Sequence, residues 1–593
     1  MKISGKSVIL RIMKTNLRYA CTLFAAIMLS QVFSFQMSAR ERKLYVVTTG
    51  DVHGSWFDRA YVEGQGLRTS LMSVKSYVDS LRKAVGEENV LLLDAGDCLQ
   101  GDNAAYYFNY EDTSVPHLFP RIVAYMGYDA VIVGNHDIET GHKVYDRVNA
   151  ELAAAGIPWM GGNAVRNDDG EPYFPVYQIF EKAGMKVAVL GFNNANISAW
   201  LSESLWEGMT FKSLIPLVQQ WVDKVNGEYK PDITVAVVHS GTGEGDGQVL
   251  ENQGLDLLHS LSGVDLLVTA HDHSPYSTVY EGCGFLNGGA RAGNVGYAEI
   301  TAQMRGRKLL SKEVETRIVR MDKRKVDLEM QKAFDPEYQA VKAFTNKKVG
   351  SLAMDMRTRD AYAGMSDYIN LVHTVQLSAP EAQISFAAPL TFNGTVKAGE
   401  LVFNDMFTIY PYENQMFVVR LKGSEIKDYL EFSYDGWIQT PGEHLLKIKS
   451  SPDARTGAER WSFVGRSYNF DSAAGLVYTV DVTRPAGERV NIISLADGTA
   501  FDADAWYNVA MTSYRANGGG DLLPLGAGVL DVEAEQRVVA RYPEIRNMIY
   551  DYILKVGELK RANTGDKKIL GEWHFIPEEL AKPLIEADMN LIF

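Results

Sequence analysis

Residues able to bind borderline metal ions recur along the first half of the chain. Asp51 and His53 follow KLYVVTTG, and Asp97 ends NVLLLDAGD. Asn135 and His136 lie in DAVIVGNHD, His239 in DITVAVVHS, and His271 and His273 in VDLLVTAHDH. One such ending is ordinary, because Asp and Asn commonly terminate strands and cap helices. A lone histidine on an apolar segment is more often structural than metal-bound. Five endings in register are hard to reconcile with that reading. Asp51, His53, Asp97, Asn135, His239, His271 and His273 are too many donors for one ion and suit two, with Asp97 as the bridging carboxylate. Ions about 3.5–4 Å apart clamp the attacking and leaving oxygens of an in-line displacement at phosphorus. Imidazole, carboxylate and amide donors without thiolate suit Mn, Zn, Co or Fe better than Ca or Mg.

Each of these groups ends a short run rich in Val, Leu and Ile, the pattern of a buried strand. Between the runs, RTSLMSVKSYVDSLRKAVGEE, HKVYDRVNAELAAAG and IPLVQQWVDKVNGEY repeat apolar residues at helical spacing. Strand–helix alternation predicts an α/β layer structure, with ligands beyond the carboxyl ends of the strands. All five donor-bearing endings are expected on one rim of one sheet. At 593 residues the chain needs more than one core. A first domain over 43–311, a charged helical connector over 312–350, a second domain over 351–535, and a C-terminal helix and tail over 536–593 are expected.

The formal charge of −15 excludes a global positive field for nucleic acid polymers, leaving small anions as partners. Lys2, Lys6, Arg11, Lys14 and Arg18 precede ACTLFAAIMLSQVFSF, which ends at the small residues Ser38 and Ala39. That layout predicts a signal peptide over 1–39, hence an exported, periplasmic or cell-surface protein with no membrane contact after cleavage. A monomer is expected, although the sequence carries no signal for oligomeric state. Cys98 and Cys283 remain after cleavage, and sequence leaves their pairing open.

The strings DVHG, GDCLQGDN, GNHD, VVHSG and AHDH resemble the successive motifs of calcineurin-like metallophosphoesterases. The resemblance implies a layered αββα domain in which Asp51, His53, Asp97 and His273 hold one ion. Asp97, Asn135, His239 and His271 would hold the other. His136 would stay unmetallated and face the phosphate, stabilising charge or protonating the leaving oxygen. Exported nucleotidases often support this histidine with an Asp three residues on, where this chain has Glu139.

Further on, SFAAPLTFNG, DMFTIYPYENQMFVVRLKGSEIKDYLE, YNFDSAAGLVYTVDVT and SYRANGGGD resemble the C-terminal α/β domain of 5′-nucleotidases. They are most similar to the 2′,3′-cyclic-nucleotide 2′-phosphodiesterase/3′-nucleotidase branch. The resemblance implies that Tyr412 and Tyr514 sandwich the base, beside the loop Asn517, Gly518 and Gly519. On residue type alone, Tyr412 reads more readily as a packed turn residue and the glycines as a tight turn. FAAPLTFNG lacks the arginine that many 5′-nucleotidases carry there, which favours the cyclic-nucleotide branch. GFNNANI stands where relatives often have TTP. The implied activity is hydrolysis of 2′,3′-cyclic nucleotides and 3′-nucleotides by a hydroxide held between two ions. A 5′-nucleotidase or UDP-sugar hydrolase is the nearest alternative, and a non-catalytic nucleotide-binding surface protein is one of a different class.

Overall fold

A computed structural model describes residues 39–61, 66–247, 249–412, 414–452 and 457–593. Apart from Ala39, the expected signal peptide lies outside the described residues.

The first apolar run forms the strand Arg40–Thr49, parallel to Val90–Asp94. Ala130–Ile132 and Trp159–Met160 continue that sheet, and the antiparallel strands Asn294–Arg305 and Lys308–Arg320 complete its other side. A second six-stranded sheet is built on Met185–Phe192, Ile233–Val238, Leu266–Thr269 and Cys283–Asn287, all parallel. The sheets pack face to face: Val46, Leu91, Leu93 and Ile132 of one share a core with Val187, Val189, Val235 and Val268 of the other. Alternate residues of the same strands point outward and are also buried. Val47, Leu92 and Val131 meet the helices Leu71–Val85, Leu118–Met126 and His142–Ala154. Leu190, Ala236 and Val238 meet Leu214–Tyr229 and Gly254–Ser260. Burial on both faces is why these strands read as continuous apolar runs. Each such Val or Leu contributes roughly 1.5–3 kcal/mol by leaving water.

One expectation is corrected here. The donor-bearing strands share a rim but not a sheet: Arg40–Thr49, Val90–Asp94 and Ala130–Ile132 belong to the first, Ile233–Val238 and Leu266–Thr269 to the second. A strand buried on both faces has the same pattern in either arrangement, so the run itself does not distinguish them.

The connector is also less helical than its charge pattern predicts. Lys308–Arg320 is a strand with alternating, largely exposed side chains, paired along its length with Asn294–Arg305. Only Leu328–Ala333 and Asp335–Thr345 are helical, and Lys348–Leu352 already pairs with Gly399–Val402 of the second domain. An edge strand facing water and a solvated helix carry similar charge, which explains the misreading.

In the second domain, Gln415–Lys422 lies between Trp506–Thr512 and Val538–Glu544 in a five-stranded sheet. Residues 536–593 are therefore no tail. Besides Val538–Glu544, they supply Gly571–Ile576, parallel to Leu476–Asp481, and the helix Glu578–Ile592, which packs Ala581 and Ile585 into the core. Tyr106 of the first domain sits among Phe344, Phe403 and Phe407, and its hydroxyl donates to Asn547 at 3.2 Å. Asn103 donates to Asn404 at 2.7 Å beside it. These contacts bring the base-binding candidates toward the metal-binding candidates.

Candidate metal centre

The loops after three of the five strands are strained where the donors sit. Asp51, His53, Asp97, His271 and His273 all have positive φ, between 48° and 79°. A side chain in that region costs on the order of 1–3 kcal/mol and persists only where its surroundings over-determine it. Here they do: the Asp51 N–H donates to Gly96 O at 2.8 Å, His53 N–H to Asp97 O at 2.9 Å, and His271 N–H to Asp51 Oδ2 at 2.8 Å. The buried Asp137 carboxylate gathers four more N–H groups, from Gly134, Asp97, Cys98 and Leu99, at 2.8–3.0 Å. Burial, reinforced by the charge of Asp97, pushes Asp137 up to about 6.

The donors fall into two clusters. Asp51, His53 and His273 form one, and Asp97, His239 and His271 the other, with the donor atoms in each within 4.8 Å of one another. Asn135 adjoins the second, its Oδ1 3.0 Å from His239 Nε2 and 2.9 Å from His271 Nδ1. His239 Nε2 links the two, 3.1 Å from Asp97 Oδ2 and 4.0 Å from Asp51 Oδ1. All seven expected ligands are thus brought together.

The outer nitrogens are tied down. His53 Nδ1 donates to Gln100 O at 3.0 Å and His239 Nδ1 to Ala95 O at 2.7 Å. A carbonyl can only accept, which fixes each Nδ1 as a donor and turns each Nε2 toward the centre, the orientation in which metal-ligating histidines are held. His271 is turned the other way, with Nδ1 inward and Nε2 3.5 Å from Glu251. Asp51 Oδ1 is buried without a hydrogen-bond partner, whereas Asp97 Oδ2 is met by His239 Nε2 at 3.1 Å. Leaving a buried carboxylate oxygen unpaired is costly, and a cation at the first cluster would satisfy Asp51. The donor set therefore fits two divalent ions.

Electrostatics separate the two aspartates. Burial would raise Asp97, but the imidazoles of His239, His136 and His53 outweigh it and hold Asp97 well below its ordinary value. Burial, opposed by His239 and reinforced by Asp97, pushes Asp51 well above it. Burial and the facing His273 push His53 well down, and burial takes His273 down to about 3.

His136 stands apart from both clusters. Its ring is 5.4 Å from that of His53, its backbone N–H donates to Asp97 Oδ1 at 2.8 Å, and its Nδ1 lies 2.5 Å from Glu139 Oε2. Burial alone would lower it, but Asp97 and Glu139 raise it to about 9.

In the second domain, Tyr412 and Tyr514 are half-buried, and Tyr514 packs against the core of the first domain. A Cβ on Gly519 would lie 2.4–2.5 Å from the Tyr514 ring, so that glycine lets the ring seat on the backbone. Gly518 has φ 87°, which supplies the turn. Asn517 Nδ2 is buried without a partner. The buried Arg515 holds the loop through Asp471 at 2.9 and 3.1 Å and Gly519 O at 2.9 Å, and lies 5.2 Å from the Tyr514 ring centre.

Residues 44–275 match the calcineurin-like phosphoesterase family, and residues 343–525 match the 5′-nucleotidase C-terminal domain. The chain belongs to the calcineurin-like phosphoesterases with a 5′-nucleotidase C-terminal domain. This phosphoesterase is 23% identical over 562 residues to the 2′,3′-cyclic-nucleotide 2′-phosphodiesterase/3′-nucleotidase of Salmonella typhimurium, covering 84% of each chain. It is also 23% identical over 612 residues to the trifunctional nucleotide phosphoesterase protein YfkN of Bacillus subtilis, with 91% of this chain spanning 39% of that longer one. Among solved structures, a Staphylococcus aureus protein described as a 5′-nucleotidase superposes with TM-score 0.74 at 20% identity, over 90% of this chain and 99% of that one. The phosphoesterase is accordingly a phosphoric ester hydrolase with a two-domain nucleotidase fold.

Several residues around its centre carried no signal in the sequence. Trp200 stacks on His271 at 5.2 Å and 15°. Glu251 faces both His271 and Arg466. Tyr468, half-buried, lies near Glu251 and Tyr412. The segment GFNNANI also acquires a role: Asn193 donates to Gly134 O at 3.2 Å and Asn194 to Glu251 O at 2.9 Å, bracing two loops of the phosphoesterase centre. Cys98 and Cys283 are free, and Cys98 Sγ donates to Asp94 at 3.2 Å.

Proposed function

We propose that this phosphoesterase hydrolyses 2′,3′-cyclic nucleotides and 3′-nucleotides at a two-metal centre. The observation that carries the reading is the pair of Asp–His clusters, with an unpartnered buried oxygen on Asp51, in one chain with a 5′-nucleotidase-type domain. Asp51, His53, Asp97 and His273 would hold one ion, and Asp97, Asn135, His239 and His271 the other. Two divalent ions, when bound, supply Lewis-acid charge to the phosphoryl group and activate a water. Mn, Zn, Co or Fe fits the donor set.

The protein's own groups do the rest. Tyr412 and Tyr514 hold the base by stacking, which tolerates any base and is worth about 1–3 kcal/mol per base. Asn517, Gly518 and Gly519 shape the seat of Tyr514. His136 donates its Nδ1 proton to Glu139, which leaves the Nε2 proton for the leaving oxygen. Such general-acid help contributes about 10²–10⁴ in rate. The absence of arginine in FAAPLTFNG and the Salmonella relative both support the cyclic-nucleotide branch. The Staphylococcus aureus neighbour keeps a 5′-nucleotidase reading in play. Export rests on residues 1–39. No helix among the described residues is long and apolar enough to cross a membrane.

The test is release of phosphate or nucleoside from 2′,3′-cyclic AMP, 3′-AMP and 5′-AMP, with Mn and with chelator. Chelator-sensitive preference for the first two is expected. Preference for 5′-AMP would keep the centre and overturn the branch.

A further inference from the structure

The loop GGARAGN, which follows the strand Cys283–Asn287, carries strain of the same kind as the donor loops. Among the described residues eleven non-glycine residues have positive φ; five are the donors named above, and Arg291 (53°) and Ala292 (51°) are consecutive. The strained pair is tied to the centre through the backbone. Arg291 N–H donates to Asp51 O at 2.8 Å, and Thr69 Oγ1 donates to Arg291 O at 2.9 Å. The guanidinium turns toward the first cluster: Nη1 donates to Gly101 O at 3.3 Å, and the Cα of Gly101 faces His53 so closely that a Cβ there would lie 3.1 Å from it. The Arg291 charge reaches His53 and His273 on one side and Tyr412 of the second domain on the other.

Arg291 is exposed, and among the described residues no carboxylate lies within ion-pair distance of it. A held, unneutralised guanidinium beside a cluster built for cations raises the local positive charge. It does so in a chain whose formal charge is −15, so the surplus is local and points to an anion. The anion must fit between the first cluster and the Tyr412 platform, which is where a nucleotide with a stacked base places its phosphoryl group. Guanidinium matches phosphate geometry with two parallel N–H donors, which a point-charge ammonium does not.

We propose that Arg291 is a substrate-binding residue that recognises the nucleotide's phosphoryl group, supplying from the first domain the cation that FAAPLTFNG does not carry in the second. The proposal rests on the nucleotide reading above for its substrate, but not for its ligand chemistry.

The test uses the full, Mn-loaded chain and the variants Arg291→Gly, which relieves the left-handed backbone, and Arg291→Lys, which keeps the charge. Calorimetry with inorganic phosphate, KM and kcat for 2′,3′-cyclic AMP, competition by adenosine, and metal content per chain are read together. In the glycine variant, phosphate affinity should weaken by about tenfold to a hundredfold, the range of one charged contact. KM should rise in parallel, with metal content and adenosine competition unchanged, and lysine should restore part of the loss. Unaltered phosphate affinity with full metal content would overturn the proposal, as would loss of metal in both variants, which would make Arg291 a support of the centre. If the wild-type chain turns over no nucleotide, the nucleotide reading fails. The phosphate titration then still decides the role of Arg291 by itself.

Discussion

The carboxylate of Glu139 lies 2.5 Å from Nδ1 of His136, three residues earlier at the start of the same short helix. A glutamate at this position reaches the imidazole from a nearly buried side chain, so it can hold the ring's orientation and its proton. Where the family resemblance implies Asp, this chain therefore has a residue of the same chemistry with a longer reach.

Replacing Glu139 by Gln removes the charge and keeps the shape. We expect kcat to fall about tenfold to a hundredfold, as for other partners of this kind, with metal content and KM little changed. Glu139→Asp should recover part of the rate. Unchanged kcat in the Gln variant would show that His136 needs no support.

Tyr412→Ala and Tyr514→Ala should each raise KM for 2′,3′-cyclic AMP by about fivefold to a hundredfold, the equivalent of ~1–3 kcal/mol of stacking. Turnover of glycerol 2-phosphate, which has no ring to stack, should change little. A parallel loss on both substrates would assign these rings to packing.

The centre was legible because metal donors are chemically distinctive and each ended an apolar run. Asp51, His53, Asp97, Asn135, His239, His271 and His273 therefore stood out without any neighbour information, and they converge in the structure. What escaped was whatever depends on which strands stack. The division of the donors between two sheets was invisible because Val46 and Val47 are both fully buried, facing different layers. Glu251, Trp200 and Tyr468 escaped because a lone Glu, Trp or Tyr in a loop has no spacing to recommend it. The strand Lys308–Arg320 was hidden by its charge.

His373 gives a pH dependence remote from the centre. It is buried, with Nδ1 2.8 Å from Ser385 Oγ and Nε2 3.3 Å from Ser472 Oγ, and burial pushes it down to about 3. Between its ordinary value near 6.5 and about 3, the unfolded chain binds a proton that the folded chain refuses. Stability should thus be intact above that ordinary value and fall on acidification, by up to roughly 1.4 kcal/mol per pH unit for this one group. Urea midpoints measured from pH 7 to pH 4 should decline less steeply in His373→Gln than in the wild type. Equal slopes would contradict the assignment.

Asp97 gives the most direct test of the centre as a whole, because its carboxylate is the donor proposed to serve both ions. Metal analysis of the Mn-loaded full chain, wild type against Asp97→Asn, should find two ions per chain in the first and at most one in the second, with hydrolysis of 2′,3′-cyclic AMP lost in the variant. A single ion in the wild type, or two ions and undiminished hydrolysis in the variant, would contradict the bridged two-metal centre.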